Sequence, residues 1–584
     1  MVRAYLNVRA TGGAVFFLLR RENTRERWSP FKVEGDGGCS KKMYDGRSKK
    51  EDVRGKKVEA LFSLRPVELY QDCMLYRIIF LILSFCTCTS ATLMAQAQGV
   101  PETDSLPTHL SYELSAETAL GTGDWNAYQT VSNRYHTLGL RPNTAVGRAA
   151  LTLTHDFSKN YRMTAVADAL GSIHGDHKFY LQQLYVNFKL HHFFAEIGSR
   201  EIEPILRSRR LSSGNIIESG NAKPIPQLRI GTDGFWTVPG LNKWLEVYFD
   251  GAYGKYIDGG YKQDVATTLQ ATFTRGMWMH HKKLYLRSNS QKLFYGMIGI
   301  DHFVQFGVQR YAFVDGQMVL IKDSPATIKD FWRVLIPKGD SGYAFNGSNG
   351  EDWVYGNHLG SYTIQIGCNI TPRHQVNAFM DNIFEDGSGM AKRNGWDGLW
   401  GLSYQNTTEG VQYVRGATFE YLQTTNQSGV LHFDPGDWTG EMRNIPSDNL
   451  ATGNDSYYNN GYYQSYTMYG MGQGTPLLPS PRYRGALDYN STNIKAWHVG
   501  VEGDLLQSPR YGSFSYLVKG SYRKSYGEHG YPFLVPEHTF SMLVEADWAK
   551  GPWRGSFSYG LDGGDIYGNN NTFDFKITYH GRIF

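Results

Sequence analysis

Residues 573–584 read Phe573-Asp-Phe575-Lys-Ile577-Thr-Tyr579-His-Gly581-Arg-Ile583-Phe584. Phe573, Phe575, Ile577, Tyr579, Gly581 and Ile583 fall at one parity, and Asp574, Lys576, Thr578, His580 and Arg582 at the other. Successive side chains of a strand point to opposite faces. The stretch therefore predicts a strand with lipid on one side and water on the other, as in a transmembrane barrel. The phase breaks only at the end, where Ile583 and Phe584 are adjacent and one alone can follow the apolar face.

The same period recurs upstream, at 149–157, 180–190, 191–198, 266–278, 294–311, 358–369, 376–384, 399–405, 417–423, 498–505, 513–522, 540–548 and 555–561. Links such as Ser158-Lys-Asn160 and Lys550-Gly-Pro-Trp553 have hairpin chemistry. Beyond Ala97 there is no apolar run long enough for a membrane helix. A closed barrel is then the one remaining way to span a bilayer. The 39 Tyr fit the interfacial belts of such a barrel. A soluble sandwich or propeller would also alternate, but no propeller-length repeat is seen. The expectation is an all-β, outer-membrane barrel of about 18 antiparallel strands, with roughly 16 or 20 left open.

Residues 74–97 read as a secretory signal: Met74-Leu-Tyr-Arg77, an apolar stretch from Ile78 to Phe85, and a small-x-small end at Ala95-Gln-Ala97. This predicts translation from Met74 and a mature chain from Gln98 to Phe584. Residues 1–73 are then a spurious or disordered extension. That extension and Arg77 hold 17 of the 59 Lys+Arg and 10 of the 55 Asp+Glu. What remains has 42 basic and 45 acidic residues, so the formal +4 becomes −3 and nucleic acid is not an expected partner. Cys368 is the one cysteine after the signal, which excludes an internal disulfide there. The windows ending at Cys86 and Cys88 carry bulky residues where a lipoprotein site needs small ones.

Four connections carry the functional reading. Residues 121–144 are polar; Asp124 is placed to cap a short helix ending before Gly139, and the segment is either a plug in the barrel mouth or a long first loop. Residues 198–231 are basic and Pro-interrupted. Arg207, Arg209, Arg210 and Arg229, with Asn221, offer forked donors for an acidic polymer at the outward mouth. The alternative is a rim loop whose charges pair with Glu201, Glu203 and Glu218. Residues 381–401 are acidic. Glu385 and Asp386 beside Trp396 and Trp400 could grip sugar hydroxyls and ring faces, hold Ca²⁺, or simply turn the chain. Residues 449–479 are rich in Tyr, Asn and Gln, and Tyr462 and Tyr466 suit a glycan surface or an ordinary external loop. No hydrolase elbow, phosphate loop or zinc-protease helix occurs. His191-His192 and His280-His281 would point to opposite faces of a strand. No cofactor, metal or catalytic residue is predicted, and a barrel hydrolase stays as the lesser alternative.

Several blocks carry a resemblance. They are Leu211-Ser-Ser-Gly214, Ser219-Gly-Asn-Ala222, Pro224-Ile-Pro-Gln227, Phe235-Trp236, Asn357-His-Leu-Gly-Ser-Tyr362, Ile383-Phe-Glu-Asp-Gly-Ser-Gly-Met390, Asp397-Gly-Leu-Trp-Gly401, Tyr457-Tyr-Asn-Asn460 and Gly474-Thr-Pro-Leu477. In this order they resemble the Wzi family of capsule assembly proteins as it occurs in Bacteroidetes-type bacteria. The resemblance implies an 18-stranded outer membrane barrel with a helical plug. It further implies lectin-like attachment of capsular or other exported polysaccharide at the cell surface, and no enzymatic activity. Outer membrane lipid and polysaccharide export machinery follow as partners. A general or glycan-uptake porin is the alternative.

Overall fold

The computed structural model describes residues 5–11, 14–20, 108–176, 178–314, 316–337, 354–385, 387–427, 456–528 and 531–584. The signal at 74–97 and the expected start at Gln98 lie outside them. The chain divides into two units, Met1–Pro101 and Glu102–Phe584. In the first, Tyr5–Thr11 and Ala14–Arg20 pair as an antiparallel hairpin.

The second unit is a closed barrel of 18 antiparallel strands. They are β1 Thr108–Thr122, β2 Thr144–Ser158, β3 Tyr161–Ile173, β4 Phe179–Leu190, β5 Phe193–Ser199 and the broken β6, Gln227–Thr232 with Trp236–Thr237. Then follow β7 Leu245–Lys255, β8 Trp278–Ser288, β9 Phe294–Phe306, β10 Asn357–Thr371, β11 His374–Phe384 and β12 Gly398–Asn406. The last six are β13 Gly416–Gln423, β14 Ile494–Ser508, β15 Gly512–Glu528, β16 Tyr531–Lys550, β17 Trp553–Gly564 and β18 Asn570–Arg582. Each pairs with its neighbour in sequence, and β18 closes on β1 from Asn571↔Thr122 to Arg582↔Ser111. Gly581 is required at this seam, because a Cβ there would lie 2.2 Å from the Tyr112 ring.

The predicted alternation holds. In β18, Phe573, Phe575 and Ile577 are 45%, 49% and 48% exposed, while Asp574 between them is 5% exposed and faces the lumen. Leu114, Leu151, Ile230, Leu284, Ile298, Ile364, Leu402 and Val499 continue the outward apolar band. Aromatic rings border it at both ends. Tyr421, Trp497, Tyr522 and His538 pack in series at one end, and Tyr112, Tyr579 and Trp553 at the other. An apolar belt between two aromatic girdles is the build of an outer-membrane barrel. One end carries short turns such as 159–160, 372–373 and 551–552; the other carries the long connections. The short-turn end is the periplasmic one in such barrels, and the loop end faces outward.

Several expectations need correction. Residues 266–278 are not one strand; only Phe273–Arg275, outside the barrel sheet, and Trp278 at the start of β8 are extended. Helix α2, Tyr261–Leu269, packs Val265 and Ala266 against Phe273 and Leu487, so a tertiary contact overrides the local period. The expected strand 294–311 ends at Phe306, because Gly307 (φ 61°) turns the chain into a separate hairpin strand, Val308–Val314. His191 and His192 form a turn rather than part of a strand, with His191 at φ 59°. Strands β1, β3, β6, β7 and nearly all of β8 escape the sequence pattern, since their inward faces mix small, apolar and charged residues.

Candidate functional site

Three connections at the loop end fold inward and fill that half of the lumen: 123–143, 200–226 and 456–493. The first holds helix α1, Tyr128–Val131, whose four residues are all buried. Asp124 does not cap it. The N–H groups that this turn leaves without a helical partner go to the barrel wall, Ala127 N–H to Thr572 Oγ1 (2.8 Å) and Tyr128 N–H to Asp562 Oδ2 (2.9 Å). A turn this short cannot stand alone; its stability comes from that wall. Arg523 of β15, wholly buried, lies 3.8 Å from the Tyr128 ring and 4.5 Å from the Tyr567 ring, and donates to Ser541 Oγ and Tyr567 Oη. Asp176 ties two plug segments together, accepting from His136 (2.8 Å) and the Leu140 N–H (3.0 Å) and pairing with Arg482 (3.2 Å). Burial alone would raise its pKa. The His136 hydrogen bond and charge, Arg482 and the Leu140 N–H outweigh that and hold it well below the usual carboxylate range.

The basic segment 200–226 is bolted to the wall rather than spread along the rim. Arg207 pairs with buried Asp381 of β11 (2.6 Å), lies 4.1 Å from the Phe379 ring and donates to Asn215 Oδ1 (2.9 Å). Ser213 donates through N and Oγ to Glu420 of β13 (2.7 and 2.5 Å), and His498 of β14 hydrogen-bonds the Leu211 carbonyl oxygen (2.7 Å). Glu218 accepts from Lys283 of β8 (2.7 Å). Asn221 is buried and donates to Gly472 O (3.1 Å) and Ser480 Oγ (3.3 Å), joining this segment to the third. Arg229 lies on β6, buried, and forms a fork with Asp250 of β7, with Glu196 at 3.6 Å. Arg207, Asn221 and Arg229 are thus part of the packing, and the outward mouth expected for the arginines is not where they lie.

The third segment supplies more of the core than either of the other two. Tyr457 and Tyr458 are fully buried and Tyr466 is 2% exposed. Buried hydroxyls need partners, and each has one: Tyr457 donates to Asp397 Oδ2 (2.9 Å), Tyr458 to Ile216 O (2.9 Å) and Tyr466 to Asn357 O (2.8 Å). Tyr462 is half-buried, with Ser324 Oγ 3.0 Å from its hydroxyl and Arg310 5.0 Å from its ring centre.

Below the plug, a cavity of about 480 Å³ reaches toward the short turns. Arg134, Arg209, Arg210 and Lys519 line it with Glu545 and Asp547. Arg209 donates to Glu203 (2.8 Å) and to Asn133 O (2.6 Å). Arg210 reaches Asp547 (2.7 Å), Glu545 (3.1 Å) and Glu502 (3.3 Å) with a side chain 43% exposed. Of the predicted arginines, these two share a wet chamber.

Glu385 is half-buried at the end of β11, and Asp386 lies outside the described residues. Trp400 shares its strand face with outward Leu402 and packs 5.0 Å from the 66%-exposed Trp396, donating its indole N–H to Trp396 O (3.0 Å). This is the position of an interfacial anchor. The wall partners Asp562, Asp381, Glu420, Lys283 and Arg523 were missed. The available signal was a charged residue at the inward parity of a strand.

No family model matches the chain, and no curated protein matches it in sequence. Among solved structures it is similar to Wzi, described as an outer membrane protein involved in group 1 capsule assembly in Escherichia coli and a carbohydrate-binding β-barrel. The identity is 11%, coverage is 80% of this chain and 83% of that one, and the TM-score is 0.46. It is also similar to OprD of Pseudomonas aeruginosa (10% identity, 82% and 94% coverage, TM-score 0.38) and OccAB4 of Acinetobacter baumannii (8%, 82% and 99%, 0.39). The barrel assignment stands on the chain's own closed strand order.

Proposed function

We propose that this chain is a closed outer-membrane barrel that holds exported, capsule-type polysaccharide at the cell surface, with no catalytic step. The observation that carries the reading is the plug. The loop half of the lumen holds a packed core including Tyr128, Ile216, Tyr457, Tyr458 and Leu477, fixed to the wall by ion pairs. A diffusion pore needs that space as water. The blocks that resemble the Wzi family support the same reading, because most sit in or against this core: Ser213 on Glu420, Ser219 on Gly474 O, Tyr466 on Asn357 O and Tyr457 on Asp397. What the resemblance follows is largely the closure of the barrel. Of the residues expected to meet glycan, half-buried Tyr462, beside Arg310 and Ser324, is then better placed for that contact than the buried arginines of the plug.

The rival is a porin, favoured by the wet, charged chamber at the short-turn end. Planar-bilayer recording of the purified barrel, with retention of purified surface polymer measured in parallel, separates the two. Retention without large open-channel steps is expected. Large steps without retention overturn the proposal.

A further inference from the structure

Helix α3, Ile328–Leu335, lies against the outside of the barrel at the loop end. Thr327 and Asp330 form a capping box at its start. Its end is held by the wall: Lys282 of β8 donates to Leu335 O (2.5 Å) and Val334 O (3.3 Å). Such a cation at a helix C-terminus satisfies carbonyls that the helix leaves open. The inner face is apolar. Val334 and its neighbours Val304 and Phe306 of β9 are fully buried. The Phe331 ring packs 5.2 Å from Tyr253, 5.2 Å from Trp278 and 5.1 Å from Phe306, and Tyr253 donates to Phe331 O (2.7 Å). All these partners are outward-facing residues of β7, β8 and β9.

A second apolar sector is uncovered. Ile328, Trp332 and Ile336 are 83%, 66% and 68% exposed, and their spacing of four places them in one row. Lys329 and Arg333 fall on the adjoining flank at the same spacing, with Arg333 also 3.2 Å from Asp330. A helix with an apolar row beside a cationic flank is the pattern of one lying in a membrane interface. The position agrees. Lower on the same wall, Leu284 of β8, Ile298 of β9 and Ile364 of β10 face outward in the lipid belt. The uncovered row continues that belt at the rim.

We propose that α3 is an interfacial anchor: Ile328, Trp332 and Ile336 enter the acyl layer of the outer leaflet, and the Lys329–Arg333 flank meets the phosphates of lipid headgroups. The helix also shields Tyr253 and His280, stacked at 4.4 Å on the outer wall, and Lys282 from that layer. Polar groups are costly in direct contact with hydrocarbon.

Spin labelling tests this on the full chain with its other cysteines replaced. Ile328→Cys, Trp332→Cys, Ile336→Cys and Lys329→Cys would each carry a nitroxide in phosphatidylethanolamine–phosphatidylglycerol bilayers. Leu284→Cys is the lipid reference and Lys159→Cys the aqueous one, and heat-modifiable gel migration confirms that each barrel is folded. Expected is an oxygen-to-nickel accessibility ratio at 328, 332 and 336 shifted to the Leu284→Cys value, with 329 shifted toward Lys159→Cys. If 328, 332 and 336 match the aqueous reference, or are shielded from both reagents by protein, the proposal fails.

Discussion

The two halves of the lumen share the same strands yet differ in what their inward faces meet. At the loop end, charge meets protein: Arg207 and Asp381 are both buried and paired against Phe379. At the short-turn end, charge meets water: Arg210, three positions on, spans three carboxylates from a half-exposed position. An inward polar position in a strand therefore says that a side chain faces the lumen, and not whether the lumen is wet.

The most forceful way to test this contrast is to hollow the packed half. Tyr458→Ala removes a fully buried ring and its bond to Ile216 O. It is expected to cost about 3–5 kcal/mol, concentrated in the plug. Hydrogen exchange should quicken across 456–493 while the strands of the belt stay protected. Equal acceleration in both would mean that plug and wall are one cooperative unit.

Arg207→Ala comes next. Leaving Asp381 buried without its cation is expected to destabilise by about 3–5 kcal/mol, read in denaturant unfolding. The paired change Arg207→Met with Asp381→Leu should recover most of the loss. No recovery would show that the guanidinium serves packing alone.

Arg210→Ala should cost no more than about 1 kcal/mol, because solvent screens its partners. A loss comparable with that of Arg207→Ala would erase the distinction between the halves.

The last test concerns pH. The Asp176 carboxyl is held below its unfolded value by His136, Arg482 and the Leu140 N–H, against the opposing pull of burial. Its stabilisation is then complete above about pH 4 and is lost as pH falls further. Protection of the 134–140 amides, taken against their intrinsic exchange rates, should fall in acid, and Asp176→Asn should flatten that dependence. An unchanged acid response in the variant would place the effect on other carboxylates.

Much of the barrel was legible because lipid imposes a strict parity on each strand, as at Phe573, Phe575 and Ile577. The turns at 159–160 and 551–552 were legible for the same local reason. The site was less so. Its contacts join residues hundreds of positions apart, such as Tyr128 with Asp562 and Asn221 with Gly472. Composition suggested that 198–231 and 449–479 were surface loops, being polar and rich in turn residues. Within the described residues, 198–231 and 456–479, those polar groups instead satisfy one another and the inner wall.

The seam between β1 and β18 has a consequence for biogenesis. Ser111 and Arg582 are paired partners, so the ring cannot close until its last strand exists. The first plug segment hydrogen-bonds Asp562 and Thr572 on the last two strands, so it too waits for that end of the chain. A copy cut short before β18 would present two unpaired strand edges, which invite association with other chains. Closure thus ties both the seam and an anchor of the first plug segment to the presence of β18.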